Sequence, residues 1–382
     1  MASTTIPAAT DTGERVSSLE LFFDLVFVFT ITQLTNLLAR EPSWTGIMQA
    51  TLIFGNVWWM YGGYAWLTNA VPPRELGVRL LLLVGMGGFL MVALSIPTAF
   101  SGGGAAFGIG YLIVTLVHTG VFLRVSQQSV LKAMMGLGPF NIITAALLLA
   151  GGLTAGSTRV VLFAAGFVLH WITPFITRTG GFRIRAGHFV ERHGLILLIA
   201  IGESVVAVGI GLGTIDLPAG RIVTALLGLA LAATLWWLYF NGEEQRAETA
   251  LARAPQERAP WLALNAFGYT FLLILGGIVL AAAGMKLAVV RYQEPATVAT
   301  ALFLAAGVSV YLLGLAVFRW LVRGGSSAVR LGLAAVVLPT AFIGLGVSPF
   351  AQLVLLVLIL VVGSSVDSLT QRTGPAPPDT DY

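Results

Sequence analysis

Two stretches place acidic side chains where an apolar helix would otherwise run unbroken. The first is Leu19 to Asn36, LELFFDLVFVFTITQLTN, carrying Glu20 and Asp24. Four residues make just over one helical turn, so these carboxylates stand about 40° apart on one face. Thr30, Thr32, Gln33, Thr35 and Asn36 follow. The second is His188 to Gly209, HFVERHGLILLIAIGESVVAVG, with Glu191 near its start and Glu203 and Ser204 about three turns later. An unpaired charge in hydrocarbon is expensive, so such groups face a partner or a water-filled cavity. Asp24 and Glu203 are the most informative, each flanked by apolar residues on both sides. They suit two roles, a protonatable or cation-binding carboxylate and a buried lock between helices, and the sequence leaves both open. Glu20 and Glu191 lie near helix ends, where an interfacial pair such as Glu191 with Arg192 is the plainer reading. His118 and His170 are candidates for a proton relay, although a lone histidine in a span more often bonds helix to helix. HExxH and CxxC spacings are absent, as is any nucleophile–base pairing or nucleotide motif. No catalytic residue, metal or cofactor is therefore expected.

The elements that must position these residues are membrane helices. Of 382 residues 57% are hydrophobic and only 10% charged, against about 25% charged in a soluble domain. The mean hydropathy is +0.89. Such a chain cannot cover a water-facing surface, and the expected fold is an all-α integral membrane protein. Without cysteine it forms no disulfide and no thiolate metal site. The first eighteen residues have no apolar core, so the first span is expected to act as the insertion signal. The net charge of +4 comes from bases scattered between spans and does not point to nucleic acid.

About twenty apolar residues cross the hydrocarbon. Twelve such segments can be drawn, at roughly 19–39, 45–67, 76–97, 104–125, 129–151, 157–178, 189–213, 218–241, 259–284, 296–322, 328–346 and 349–369. With the amino terminus inside, 16 of the 21 Lys and Arg fall on the cytoplasmic side. That bias predicts cytoplasmic termini in a bacterial inner membrane. The hydrophilic connections 179–188 and 242–258 are too short to be domains.

Short matches recur in the same order in two halves. Glu20 and Trp58-Trp59-Met60-Tyr61 are echoed by Glu191 and Trp236-Trp237-Leu238-Tyr239. Val121-Phe122 returns as Val317-Phe318, and Pro139 as Pro339. Six spans per half predict two parallel repeats about an axis along the membrane normal. The expected divisions are a cytoplasmic tail (1–18), a first half (19–187), a second half (188–369) and a disordered tail (370–382). Pro139 and Pro339 are helix-break candidates, since proline removes a backbone donor. Gly209-Ile210-Gly211-Leu212-Gly213 reads as close helix packing rather than a phosphate loop. The Trp pairs read as interfacial anchors.

Glu20-Leu21-Phe22-Phe23-Asp24-Leu25-Val26-Phe27-Val28-Phe29, with Gln33-Leu34, resembles the signature of the bacterial low temperature requirement A (LtrA) family. Glu191-Arg192-His193-Gly194-Leu195 running to Ile201-Gly202-Glu203-Ser204 resembles that family's second signature, and Trp236-Trp237-Leu238-Tyr239-Phe240 its eighth-span motif. The resemblance implies a multi-pass bacterial protein linked to growth in the cold, with no defined reaction. His193 departs from the pattern where an aromatic residue is usual, His170-Trp171 where an acidic residue and tyrosine are frequent, and Thr115 where arginine is common. A buried Arg–Asp pair relying on that arginine would be altered here. The leading expectation is a transporter or channel-like protein for a small solute or ion. The alternative is a non-transporting structural or stress-related protein. The oligomeric state is open.

Overall fold

A computed structural model describes residues 16–123, 128–177, 182–212 and 218–373. The tail 1–15, the residues from 374 onward and Asp216 lie outside them. The described chain is helical. Its rods are α1 (Ser18–Arg40), α2 (Trp44–Ala70), α3 (Leu76–Ser95), α4 (Gly104–Phe122), α5 (Gln128–Leu153), α6 (Gly156–Ile176), α7 (Ala186–Leu212) and α8 (Ala219–Phe240). After a short amphipathic α9 (Glu243–Arg253), α10 (Ala259–Ala263), a π-helical turn (Leu264–Tyr269) and α11 (Thr270–Val290) form one continuous rod. Then come α12 (Val298–Leu321), α13 (Ala328–Val337), α14 (Thr340–Gly346) and α15 (Pro349–Thr373).

Eleven of these rods are long and apolar enough to cross a membrane. The 27-residue α2 is long enough as well. Its Asn56, Trp58, Tyr61 and Tyr64 make it less apolar, and all four are buried inside the bundle. The multi-pass helical membrane architecture thus stands.

Local chemistry explains the ends. Ser17 caps α1 through a capping box, its side chain accepting from the Glu20 N–H while Glu20 accepts from the Ser17 N–H at 2.9 Å. Such a box satisfies donors the helix leaves orphaned. Ser43 and Thr297 cap α2 and α12 one-sidedly, their hydroxyls accepting from the Gly46 and Thr300 N–H groups. Pro339 separates α13 from α14, whereas α5 runs unbroken through Pro139. Losing one donor does not end a membrane helix when the ladder continues on both sides. The connection after α8 is not plain loop. Its acidic start (Glu243, Glu244) and basic end (Arg253) suit the helix dipole of α9.

α1, α7 and α11 meet at the centre, with α2 beside them. On α1, Leu21, Phe22 and Leu25 are exposed, while Glu20, Phe23, Asp24 and Phe27 turn inward. Small residues let the longest contacts close. A Cβ on Gly88 of α3 would stand 3.0 Å from the Gly110 carbonyl of α4, and one on Gly277 of α11 2.7 Å from the Gly307 carbonyl of α12. The backbones touch there, as glycine permits in membrane packing. Within the glycine-rich end of α7, Gly211 packs against the Lys286 backbone of α11.

Candidate functional site

Two pairs of residues, each spaced by one helical turn, face each other across α1 and α7. Glu20 and Asp24 come from α1, His188 and Arg192 from α7. All four are buried. Arg192 lies 3.1 Å from Asp24 and 3.5 Å from Glu20, and His188 Nε2 lies 3.1 Å from Glu20. The Tyr61 hydroxyl donates to the same Asp24 oxygen at 2.9 Å. Arg192 also donates to the Thr68 hydroxyl and, at 3.4 Å, to the Tyr64 carbonyl. Its guanidinium sits over the rings of Phe23 and Tyr61 at 5.5 and 5.6 Å.

The histidine's tautomer follows from its neighbours. Asn69 accepts the Arg185 N–H through Oδ1, which turns its amide nitrogen toward His188 Nδ1 at 3.3 Å. Nδ1 therefore accepts, and Nε2 carries the proton donated to Glu20. Two carboxylates here face one guanidinium, with His188 donating to one of them. The second oxygen of Asp24, Oδ2, has no hydrogen-bond partner among the described residues.

A second ionic cluster behaves differently. Glu243 at the start of α9 and Asp367 of α15 bind Arg319 of α12 and Arg330 of α13. The closest approaches are 2.6 Å for Arg319–Glu243 and 2.7 Å for Arg319–Asp367. Arg246 adds a half-exposed contact at 2.7 Å. Two buried acids meet two buried arginines, so this cluster is balanced at its core and has the makings of a lock.

Towards the far end of α1, Thr32 returns its hydroxyl to the Val28 carbonyl of its own helix at 3.4 Å, Glu203 of α7 keeps one carboxylate oxygen without a partner among the described residues, and Lys286 of α11 donates to Asn36 at 2.5 Å. Glu203 and Lys286 are half-buried. The signature helix thus carries a sealed ionic cluster at one end and a more accessible polar cluster at the other. Between them stand Phe27, Trp58, Tyr61 and Phe271 in ring-to-ring contact.

The remaining candidates from the sequence do not join this line. Glu191 points away from Asp24, half-buried, and accepts from the Val16 N–H at 3.4 Å. It is Arg192, one residue on, that turns inward. Ser204 returns its hydroxyl to the Ala200 carbonyl of its own helix. His118 of α4 and His170 of α6 are buried on the other side of α2 and make no ion pair with a carboxylate among the described residues. His170 stacks on Trp59 at 5.3 Å and meets the Tyr111 hydroxyl at 3.3 Å. They do not extend a relay from Asp24. Trp58 is buried rather than interfacial, its indole N–H bound to the Gly268 carbonyl. His193 sits among Phe189, Phe267, Phe271 and Trp58, filling an aromatic place with an aromatic ring. Thr115 bonds its own helix through the Tyr111 carbonyl, so the arginine for Asp24 comes from α7 instead. Sequence reasoning passed over His188 and Arg192 as partners. The signal was there: their four-residue spacing mirrors that of Glu20 and Asp24.

No solved structure matches this chain. An uncharacterized protein of Rhizobium meliloti (strain 1021) is similar to it, 27% identical over 314 residues that cover 78% of this chain and 76% of the relative. Residues 15–365, which include both clustered helices and nearly all of the spans, match the sequence model of the bacterial low temperature requirement A protein (LtrA). The chain belongs to the bacterial low temperature requirement A (LtrA) family.

Proposed function

We propose that this protein moves a small solute or ion across the bacterial inner membrane, with Asp24 as the group that takes up and releases a proton or cation. The observation that carries the reading is the charge imbalance around Arg192. Two buried carboxylates share one guanidinium, and one oxygen of Asp24 is left without a partner. A buried acid short of a counter-charge favours a proton or cation. The cluster at Glu243, Arg319, Arg330 and Asp367 has two arginines for two acids; its Glu243 Oε2 also lacks a partner among the described residues, so the charge count is what separates the two clusters.

The same reading takes the two halves as parallel repeats. Supporting it, α1–α3, α3–α4 and α2–α6 contacts have counterparts in α7–α11, α11–α12 and α8–α15. The Gly88–Gly110 approach has its counterpart in Gly277–Gly307. Tyr111 donates from α4 to the Asn56 carbonyl of α2, and Tyr311 donates from α12 to the Leu235 carbonyl of α8. An axis between the halves would run beside α1 and α7, where Asp24 and Arg192 meet. Both described ends of the chain lie at the Glu20 end of the bundle, and an excess of Lys and Arg on that side supports reading it as the cytoplasmic one. The family's description suggests a contribution to growth in the cold.

A rival reading, a non-transporting scaffold, draws on the dense pairing of Arg192. Flux measurement separates the two. Proteoliposomes with a pH-reporting dye inside are challenged with a panel of ions, amines, organic acids and sugars under an imposed proton gradient. The transporter reading expects at least one solute to move protons in wild type and not in Asp24→Asn. Traces identical to protein-free liposomes across the panel would leave the scaffold reading standing.

A further inference from the structure

We infer that an aromatic cavity between α2 and the π-helical turn is a binding site for a quaternary ammonium or similarly soft organic cation. The inference goes beyond transport and holds whether or not Asp24 titrates. The cavity has a volume of about 90 Å³ and is bounded by α2, α4, α5, α6 and the π-helical turn. Four indoles, Trp58, Trp59, Trp66 and Trp171, form much of its wall, together with Phe122 and Phe182.

Two of the four indoles have their N–H groups committed elsewhere, while the Trp171 N–H has no partner among the described residues. The Trp58 N–H is committed to the Gly268 carbonyl at 2.8 Å, and the Trp59 N–H to Asn141 Oδ1 at 3.0 Å. Trp171 stands edge-on to Trp59 with centroids 6.0 Å apart, and Trp66 edge-on to Phe182 at 5.1 Å. Aromatic faces carry negative electrostatic potential. A cage of them recognises a cation too large and weakly hydrated to need a counter-ion, and tryptophan does this best. Among the described residues no Lys or Arg lines the cavity to repel such a guest and no Asp or Glu lines it to select a small hydrated ion; its polar side chains besides the indoles are Asn141 and His118, whose ring nitrogens have no partner there.

The surrounding field has the same sign. Trp58 stacks on Tyr61 at 5.1 Å, and Tyr61 binds Asp24. Asp24, paired with Arg192, therefore lies one ring behind the wall, in a set with Glu20 that has one more carboxylate than guanidinium, at a depth where little water screens it. Backbone features leave the space open. A Cβ on Gly62 would meet nothing within 4 Å. The π-helical turn, an irregularity frequent at functional sites, presents the carbonyl that fixes Trp58.

The test compares choline with 3,3-dimethyl-1-butanol, its neutral carbon isostere, on the purified full chain in an uncharged detergent. Intrinsic tryptophan fluorescence and the thermal unfolding midpoint are read, with sodium chloride matching the ionic strength. Choline should give a saturable change with an affinity about tenfold or more above the neutral isostere, as expected when several indole faces contribute. Gly62→Leu, which fills the cavity without removing a ring, should abolish the change. Should that variant not fold, Trp171→Leu gives the same reading, with loss expected. Equal response to the two ligands would make the cavity merely apolar and overturn the inference. So would no saturable response to choline, or an unchanged response in a folded cavity-filling variant.

Discussion

Replacing Arg192 by methionine and replacing Asp24 by asparagine should differ sharply in cost, although the two residues are partners. At an effective dielectric of about 20, unit charges 3.1–3.5 Å apart attract by about 5 kcal/mol before desolvation. Arg192 makes two such contacts. Glu20 and Asp24, one turn apart, repel each other by about 3 kcal/mol on the same scale. Arg192→Met therefore removes about 10 kcal/mol of gross attraction and leaves the repulsion in place. Recovered hydration offsets part of this, and breaking a buried pair in this way leaves a net loss of about 3–5 kcal/mol. Asp24→Asn loses one attraction but relieves the repulsion, and the amide oxygen still accepts from Tyr61. Glu20 then balances Arg192 alone, so the expected loss is about 1 kcal/mol. The double variant should be more stable than the sum of the single losses implies, by about 2 kcal/mol, because the two sites share a network. The assay is reversible unfolding in mixed micelles of a mild detergent and SDS, followed by tryptophan fluorescence. Comparable losses from the two single variants would refute the imbalance. So would additivity in the double variant.

Other outcomes follow from the same geometry. Asp367→Leu leaves Arg319 and Arg330 sharing Glu243, and should lower stability in the same assay by about 3–5 kcal/mol. Gly277→Val pushes a side chain against the Tyr311 and Gly307 backbone, and overpacking of that kind should cost about 1–3 kcal/mol or prevent folding, read as loss of monodisperse protein by size-exclusion chromatography. Ser17→Ala removes half of the capping box and should cost about 0.5–2 kcal/mol in the micelle assay. Reporter fusions at Pro42 and Gly103 should read outside and those at Arg183 and Arg253 inside; an inverted pattern would reverse the assignment of the cytoplasmic face.

The spans were legible because hydrocarbon thickness imposes a length that composition records directly. The ends of α1, α3, α13–α14 and α15 fall within a few residues of the apolar segments drawn from sequence. α9 was not legible as a helix, since an 11-residue polar segment between spans carries no length signal. Asp24 announced itself by isolation among apolar neighbours. Its partner did not, because Arg192 sits beside Glu191 near a helix start and looked interfacial. Only the rotation of α7 against α1 decides which of two adjacent residues turns inward, and that rotation is set by packing far along the helix. The Trp58-Trp59 pair misled for a related reason. Tryptophan concentrates at membrane interfaces, but Trp58 and Trp59 lie midway along α2, where other helices enclose it, whereas Trp44 at its start is exposed.

The balanced cluster also bears on how the protein is made. The ribosome delivers Glu243 first, then Arg319 and Arg330, and Asp367 only with α15. Membrane proteins emerge in that order and begin to fold as they do. Until α15 enters, two buried arginines at the facing ends of α12 and α13 share one carboxylate. The helices α12 and α13 therefore enter the membrane in a state that α15 must complete. Arrival of Asp367 converts this sharing into a four-membered ionic clasp joining α9, α12, α13 and α15. The last helix of the bundle thus ties the end of the chain to elements made more than a hundred residues earlier.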